Sequence, residues 1–138
     1  MKKIIFAFVA IVCFGLSTAM AQNNNPAITQ FVEQHFPKAT VQMVMPDEDD
    51  IDVVLNDNTK IEFKLNNEWK KVDCEHSTTF TSVPATLVPE QIAAYVTSNF
   101  PGAIIKKLEN KFMGWEIELN NGLEVKFNNK FKVMEIDD

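Results

Sequence analysis

Ile28-Thr29-Gln30-Phe31-Val32-Glu33-Gln34-His35-Phe36-Pro37-Lys38-Ala39 returns later in the chain as Ile92-Ala93-Ala94-Tyr95-Val96-Thr97-Ser98-Asn99-Phe100-Pro101-Gly102-Ala103. A second pair behaves alike: Glu62-Phe63-Lys64-Leu65-Asn66-Asn67-Glu68-Trp69-Lys70 and Glu124-Val125-Lys126-Phe127-Asn128-Asn129-Lys130-Phe131-Lys132. Such a repeat makes each copy one supersecondary unit with the same buried face. In the first pair, Ile28, Phe31, Val32 and Phe36, and likewise Ile92, Tyr95, Val96 and Phe100, follow the i, i+3, i+4, i+8 spacing of one helix face. Pro26 and Pro89 suit a first helical turn, where the missing N–H costs nothing. Pro37 and Pro101 end each helix, because the residue before a proline is pushed out of the helical region.

After each helix the apolar period falls to two. Ile51, Val53 and Leu55 alternate with Asp52 and Val54, and Ile61, Phe63 and Leu65 with Glu62 and Lys64; the second copy gives Trp115, Ile117 and Leu119, then Leu123, Val125 and Phe127. These predict half-buried antiparallel strands, apolar toward the helices and charged toward water. Earlier strands are expected over Thr40–Met45 and Ile104–Glu109, and last strands over Trp69–Cys74 and Phe131–Ile136. Their alternation is broken by Lys71, which falls at the place of Val133, and by the adjacent Ile104-Ile105; edge strands or bulges account for both. Asn121-Gly122 is a two-residue hairpin signal, and Asn66-Asn67 and Asn128-Asn129 fit the same turn class. Matched through these motifs, Ile28 and Ile92 lie 64 residues apart but Glu62 and Glu124 only 62, which places two extra residues in the Asn56–Thr59 hairpin of the first copy. The expected organisation is α+β, one domain over 22–138, with two tandem α-β-β-β-β repeats at 26–75 and 89–138 joined by a linker at 76–88.

Met1-Lys2-Lys3, the apolar run Ile4–Leu16 and then Ala19-Met20-Ala21 read as a secretory signal peptide over 1–21. That run is shorter than the roughly 20 residues a membrane span needs, and Cys13 lies inside it behind Ile11-Val12, away from a lipid-attachment position. The expected product is a periplasmic or secreted monomer, not inserted in the membrane. Without 1–21 the formal charge goes from −6 to −8, since Lys2 and Lys3 are lost. Every basic residue is lysine, and the acidic balance excludes nucleic acid as a partner. Cys74 alone remains, so no intrachain disulfide is available and stability must come from packing.

A helix ending in Phe-Pro, a strand, a hairpin at Asn-Gly, and then Glu-x-Lys-x-Asn-Asn-x-aromatic-Lys resembles the secreted PepSY-like family described as beta-lactamase-inhibitor-like, from about Pro26 to Ile136. The resemblance implies one antiparallel sheet of about eight strands with both helices on one face. It also implies a binding or inhibitory module that is not an enzyme and needs no cofactor. No binding residue of the family transfers by position, and the first copy departs from the pattern at Asn58-Thr59 and at its acidic Asp47–Asp50 turn.

Asp47, Glu48, Asp49, Asp50 and Asp52 invite calcium, a hard cation that takes several carboxylates. The spacing fails the EF-hand pattern, so Asp47, Asp49 and Asp50 stand as a weak metal candidate and a solvated turn as the bland alternative. His35 and His76 read as surface histidines with no metal partner. Cys74 next to His76 lacks an orienting third group for a nucleophile and reads as a half-buried filler. Met43, Met45, Met113 and Met134, with Phe112, Trp69, Trp115 and Phe131, are assigned to core packing by default. The outward charges Asp52, Glu62, Lys64, Lys70, Glu116, Glu118, Glu124, Lys126 and Lys132 form either cross-strand pairs or a recognition face. Lys64, Lys70, Glu116, Glu118, Lys126 and Lys132 are the candidates for engaging an unidentified protein partner. The alternative is a small-ligand or calcium-binding envelope protein, and a hydrolase built on Cys74 and His76 ranks last.

Overall fold

A computed structural model describes residues 25–138; the signal-peptide reading of 1–21 lies outside them. Helix α1 spans Pro26–His35 and α2 spans Glu90–Asn99. Strands β1 (Val41–Pro46), β2 (Asp50–Leu55), β3 (Lys60–Lys64) and β4 (Trp69–Asp73) follow α1, and β5 (Ile105–Lys111), β6 (Gly114–Leu119), β7 (Glu124–Asn128) and β8 (Val133–Asp137) follow α2. All eight form one antiparallel sheet, as expected, and its strands stand in chain order from β1 to β8.

The helix ends follow from local chemistry. Asn25 caps α1 by accepting from the Ile28 N–H with its side chain, which satisfies one of the orphan donors of the first turn. At the other end the Phe36 and Phe100 N–H groups close on the Val32 and Val96 carbonyls just before each proline. Apolar residues then meet the sheet from above: Phe31 packs edge-on against Phe63 at 5.2 Å, and Tyr95 against Phe127 at 5.4 Å. Phe36, Phe63, Leu55, Ile61, Ile92, Leu108, Ile117 and Leu119 are fully buried in one core that runs across both halves. Each such side chain contributes about 1.5–3 kcal/mol by leaving water.

The motif alignment needs one correction. The β2–β3 and β6–β7 hairpins have equal lengths, with Leu55 N–H to Thr59 O matched by Leu119 N–H to Leu123 O, and Asn58 N–H to Leu55 O matched by Gly122 N–H to Leu119 O. Pairing agrees, because Asp50↔Lys64 corresponds to Gly114↔Asn128 and Lys60↔Asp73 to Glu124↔Asp137. Counterparts therefore stand 64 positions apart throughout, and no two-residue insertion exists. The error has a simple cause: sliding a strand by two residues leaves every side chain on its own face, so alternation cannot detect the slip.

The turns differ from the two-residue reading as well. At Asn56–Asn58, Leu65–Asn67, Asn120–Gly122 and Asn129–Phe131 the loop has three residues, the last in the left-handed region: Asn58, Asn67, Gly122 and Phe131 have φ of 76°, 74°, 90° and 63°. This is a type I turn with a bulge, in which glycine or asparagine is the comfortable last residue. Phe131 is neither, and a bulky residue there is uncommon; the last strand accordingly starts at Val133, later than expected. The broken alternation is explained by bulges, at Gln42 in β1, Lys70 in β4, Lys106 in β5 and Met134 in β8.

Residues 76–88 are more than a linker. Val83 and Leu87 are buried in the core, the Val83 N–H bonds to the Ile105 carbonyl, and Ala85–Leu87 forms one 3-10 turn. Asp57 and Thr59 are the buried polar residues of the described chain. Asp57 Oδ1 accepts from the Thr59 N–H at 3.0 Å and Oδ2 from the Ser77 hydroxyl at 3.3 Å, while its carbonyl accepts from the Thr78 N–H at 2.9 Å. This polar knot clamps the β2–β3 hairpin to the connecting segment, and satisfied partners make its burial tolerable.

Candidate binding face and its family

With both helices on one side, the other face of the sheet is open, and period two decides which side chains stand there. Directly paired residues share a face, so the rows Met45–Asp52–Glu62–Lys71 and Glu109–Glu116–Lys126–Glu135 run across it. The expected recognition charges are largely paired, each with partners outside the six. Lys70 Nζ lies 3.2 Å from Asp50 and 4.0 Å from Glu62; Lys126 lies 3.1 Å from Glu135 and 3.9 Å from Asp137; Glu116 pairs with Lys111. Lys64 pairs with Glu68 at 3.5 Å in the β3–β4 turn, and Lys132 is exposed before β8 with its N–H on the Asn128 side chain. The centre of the face is Lys107, which sequence reasoning missed. Its ammonium bridges Glu118 at 3.1 Å, Glu75 at 3.2 Å and Asp73 at 4.0 Å, and so ties β4 of the first half to β5 and β6 of the second. Above all the Glu118 hydrogen bond, and then Glu75, hold this amine well above the usual lysine range.

At the β1 side, carboxylate oxygens of Asp50, Asp52 and Glu62 come within 4.8 Å of one another. Only Asp50 of the acidic-turn candidates joins this group; Asp47 instead accepts the Glu48 N–H through its own side chain. Burial raises the Glu62 carboxyl above its ordinary range, with Asp52 and Asp50 adding to the effect and Lys71 and Lys70 opposing it. Next to this group a cavity of about 390 Å³ opens between Met43, Met45, Val54, Lys60, Asp52 and Glu62. Met43 and Met45 thus leave the core assigned to them. They pair with Val54 and Asp52 across a bulge that turns them to the open face, and Val44 faces the core instead.

The remaining aromatics and methionines divide. Trp69 and Trp115 are half-buried against the core, in a file Phe31–Trp69–Trp115–Phe131 with ring centroids 6.2–6.3 Å apart. Phe112 and Met113, at the β5–β6 tip, are 92% and 71% exposed, and Met134 is exposed on β8. Leu65, at the β3–β4 tip, is 56% exposed. Odd-numbered connections of a meander share one end, so these tips, the acidic β1–β2 turn and the Asn129–Phe131 turn are strung along the same end of the sheet.

The catalytic alternative loses its nucleophile. Cys74 is fully buried, not half-buried, and desolvation pushes its thiol up to about 12, while His76 is exposed. A thiol held so far from ionisation is a poor nucleophile at neutral pH. His35 does have a partner, Thr86 Oγ1 at 2.8 Å from Nδ1, supplied by the connecting segment where sequence spacing could not show it. It packs on Phe31 at 4.7 Å, and burial lowers its pKa.

Among the described residues no helix is long and apolar enough to cross a membrane. No curated protein matches the chain. Solved structures do, among them three from Bacteroides. A "putative periplasmic protein" of the DUF2874 family from Bacteroides vulgatus is 34% identical, with TM-score 0.72, covering 81% of this chain and 88% of its own. A "putative calcium-regulated periplasmic protein" from Bacteroides thetaiotaomicron is 33% identical, with TM-score 0.74, covering 82% and 89%. A second B. vulgatus protein, described as a "putative periplasmic protein of unknown function", is 30% identical with TM-score 0.73, covering 82% and 90%. These neighbours agree with the periplasmic or secreted location expected from the N-terminus. With a family model matching residues 49–135, the chain belongs to the family described as "Putative beta-lactamase-inhibitor-like, PepSY-like".

Proposed function

We propose that this chain is a non-enzymatic periplasmic binding module that holds a partner protein with its open sheet face and the hairpin tips at one end of the sheet. The observation that carries this reading is Phe112–Met113. Two adjacent large apolar side chains stand in water at the end of a short hairpin, in a chain that buries most of its other large apolar residues. A clustered apolar protrusion on a charged surface is the usual form of an interaction anchor. Paired lysines on the face shift the emphasis toward the tips, because exposed ion pairs contribute little and offer few free charges.

Affinity capture from the native envelope fraction tests it. The wild type is expected to retain a discrete partner that Phe112→Asp/Met113→Asp loses at unchanged melting temperature. Reversal of Lys64, Lys126 and Lys132 to glutamate is expected to weaken capture less. Equal capture by all three proteins, or none above background by the wild type, overturns the reading.

A second reading, calcium binding, is favoured by the Asp50–Asp52–Glu62 group and by the calcium-regulated description of the B. thetaiotaomicron neighbour. Lys70 already occupies the Asp50 side of that group, so the ion must displace an ammonium. A ligand that binds only the folded state raises stability by RT ln(1 + [L]/Kd). Millimolar calcium should therefore raise the melting temperature, with Asp52→Asn removing the increment; a melt indifferent to calcium rejects this reading.

A further inference from the structure

Edge strands usually carry lysine, proline or a bulge, which keep their unpaired backbone groups from recruiting another chain. Here β1 carries Pro46 at its end and a bulge at Gln42, the bulge shared with interior β5 at Lys106, but no charge. Interior strand β5, Ile105-Lys106-Lys107-Leu108-Glu109-Asn110-Lys111, has four charged residues, whereas its counterpart at the free edge, β1, is Val41-Gln42-Met43-Val44-Met45-Pro46 and has none. No strand covers the outer side of β1 among the described residues.

The 64-residue correspondence says what that outer side can accept. On β5 the same side takes β4 antiparallel, with Lys71↔Glu109, Val72↔Leu108 and Asp73↔Lys107, and continues with the Cys74 N–H on the Lys106 carbonyl and the Val83 N–H on the Ile105 carbonyl. Shifted by one repeat, a strand added to β1 would place successive residues opposite Met45, Val44 and Met43. The first and third face the open side, the second the core side. Opposite Met45 a long basic side chain points along the row toward Asp52 and Glu62. Opposite Met43 an apolar side chain meets the Met43–Val54 end of the 390 Å³ cavity, where methionines adapt readily to a new neighbour. The middle residue extends the apolar layer begun by Val44.

We infer that β1 is a strand-addition site for an extended segment of a partner protein with the order basic–apolar–apolar, the basic residue opposite Met45. Charge complementarity selects this occupant over a second copy of the chain. Its own free strand β8 would place Glu135, the counterpart of Lys71, opposite Met45 and so in line with Asp52 and Glu62. The inference goes beyond the sheet-face and tip reading, because it adds the unpaired backbone edge of β1, which that reading does not use.

The test uses the full mature chain and a capped, threonine-rich peptide of about nine residues, the span of an added strand, with Lys-Val-Leu at its centre. Titration followed by fluorescence anisotropy should saturate below about 1 mM, and a Glu-Val-Glu control peptide should bind at least about tenfold more weakly. Met45→Lys should weaken the Lys-Val-Leu peptide by about tenfold or more, since it sets like charges opposite each other. Amide hydrogen exchange of the unaltered protein, which does not depend on how the variant folds, should show peptide-induced protection confined to residues 41–46. Phe112→Asp/Met113→Asp should leave the titration unchanged, which separates this site from the tips. No saturation, equal binding of the two peptides, protection at β8 or at the tips, or concentration-dependent self-association that excludes the peptide would each overturn it.

Discussion

Lys107→Met removes the cation that joins the two halves on the open face while keeping the length of its aliphatic stem. Two charge-assisted contacts, to Glu118 at 3.1 Å and Glu75 at 3.2 Å, are lost, and the more distant Asp73 at 4.0 Å loses its counter-ion. Hydrogen bonds to charged groups are worth about 1.5–3 kcal/mol each at most. Lys107 is 29% exposed, so solvent screening reduces the total to about 1–2 kcal/mol. For a domain of this size that corresponds to a fall in Tm of roughly 4–8 °C. The sign with pH follows from the raised amine: its folded pKa lies above the unfolded one, so the stabilisation is fully present below the unfolded value near 10.4 and is lost as pH rises through the folded value. Urea denaturation of both proteins at pH 7, 9 and 11 should show a constant gap at the first two and a smaller one at the third. Salt at about 1 M should narrow the gap at pH 7, since the screening length then matches the contact distance. A gap under about 0.5 kcal/mol at pH 7, or one that widens toward pH 11, would refute the idea that Lys107 bridges the halves.

Gly114→Ala should cost roughly 3–5 kcal/mol, measured by urea unfolding, because a Cβ there would lie 1.9 Å from the Phe127 carbonyl at a φ of 152°, forcing β6 and β7 apart. Asp57→Ala should cost about 1–3 kcal/mol by leaving the Thr59 N–H and Ser77 hydroxyl without their acceptor, whereas Asn121→Ala at the counterpart position should cost under about 1 kcal/mol. Iodoacetamide at pH 8 should leave native Cys74 unmodified for hours and label it at once in urea, since the thiol is buried and raised to about 12; rapid native labelling would show that the core opens at the β4 end.

Helix faces and strand alternation were legible because each is a periodic property of consecutive residues; the order of strands where the halves meet, β4 beside β5, was not. The faces of Ile28, Val32, Ile92 and Val96, and of Val53, Ile61, Ile117 and Val125, follow from period alone. What escaped was whatever breaks the period or joins distant segments. One bulge at Gln42 turns Met43 and Met45 outward, and a two-residue slip between the copies is invisible to alternation. His35 with Thr86, Asp57 with Ser77, and Lys107 with Glu75 and Glu118 meet only after the chain has folded, at separations no spacing rule covers. The open-face charges were identified by residue type, but which partners they meet is a matter of register. Exposure of Phe112–Met113 could have been suspected from Lys111 and Gly114 on either side, a turn too short to bury two large residues.

The equal loop lengths of the two halves have a consequence for how such a scaffold can diverge. Since Asp47–Asp49 occupies in the first half the place that Lys111–Met113 occupies in the second, one tip is acidic and the other apolar on the same hairpin frame. Neither tip is anchored in the core, whose members lie on the strands, the helices and the connecting segment. Tips can therefore be exchanged or rewritten with little penalty to folding, in the way that interchangeable heads fit one handle. Specificity and stability are carried by separate residues, and a chimera bearing the Phe112–Met113 turn on both hairpins should still close the same sheet.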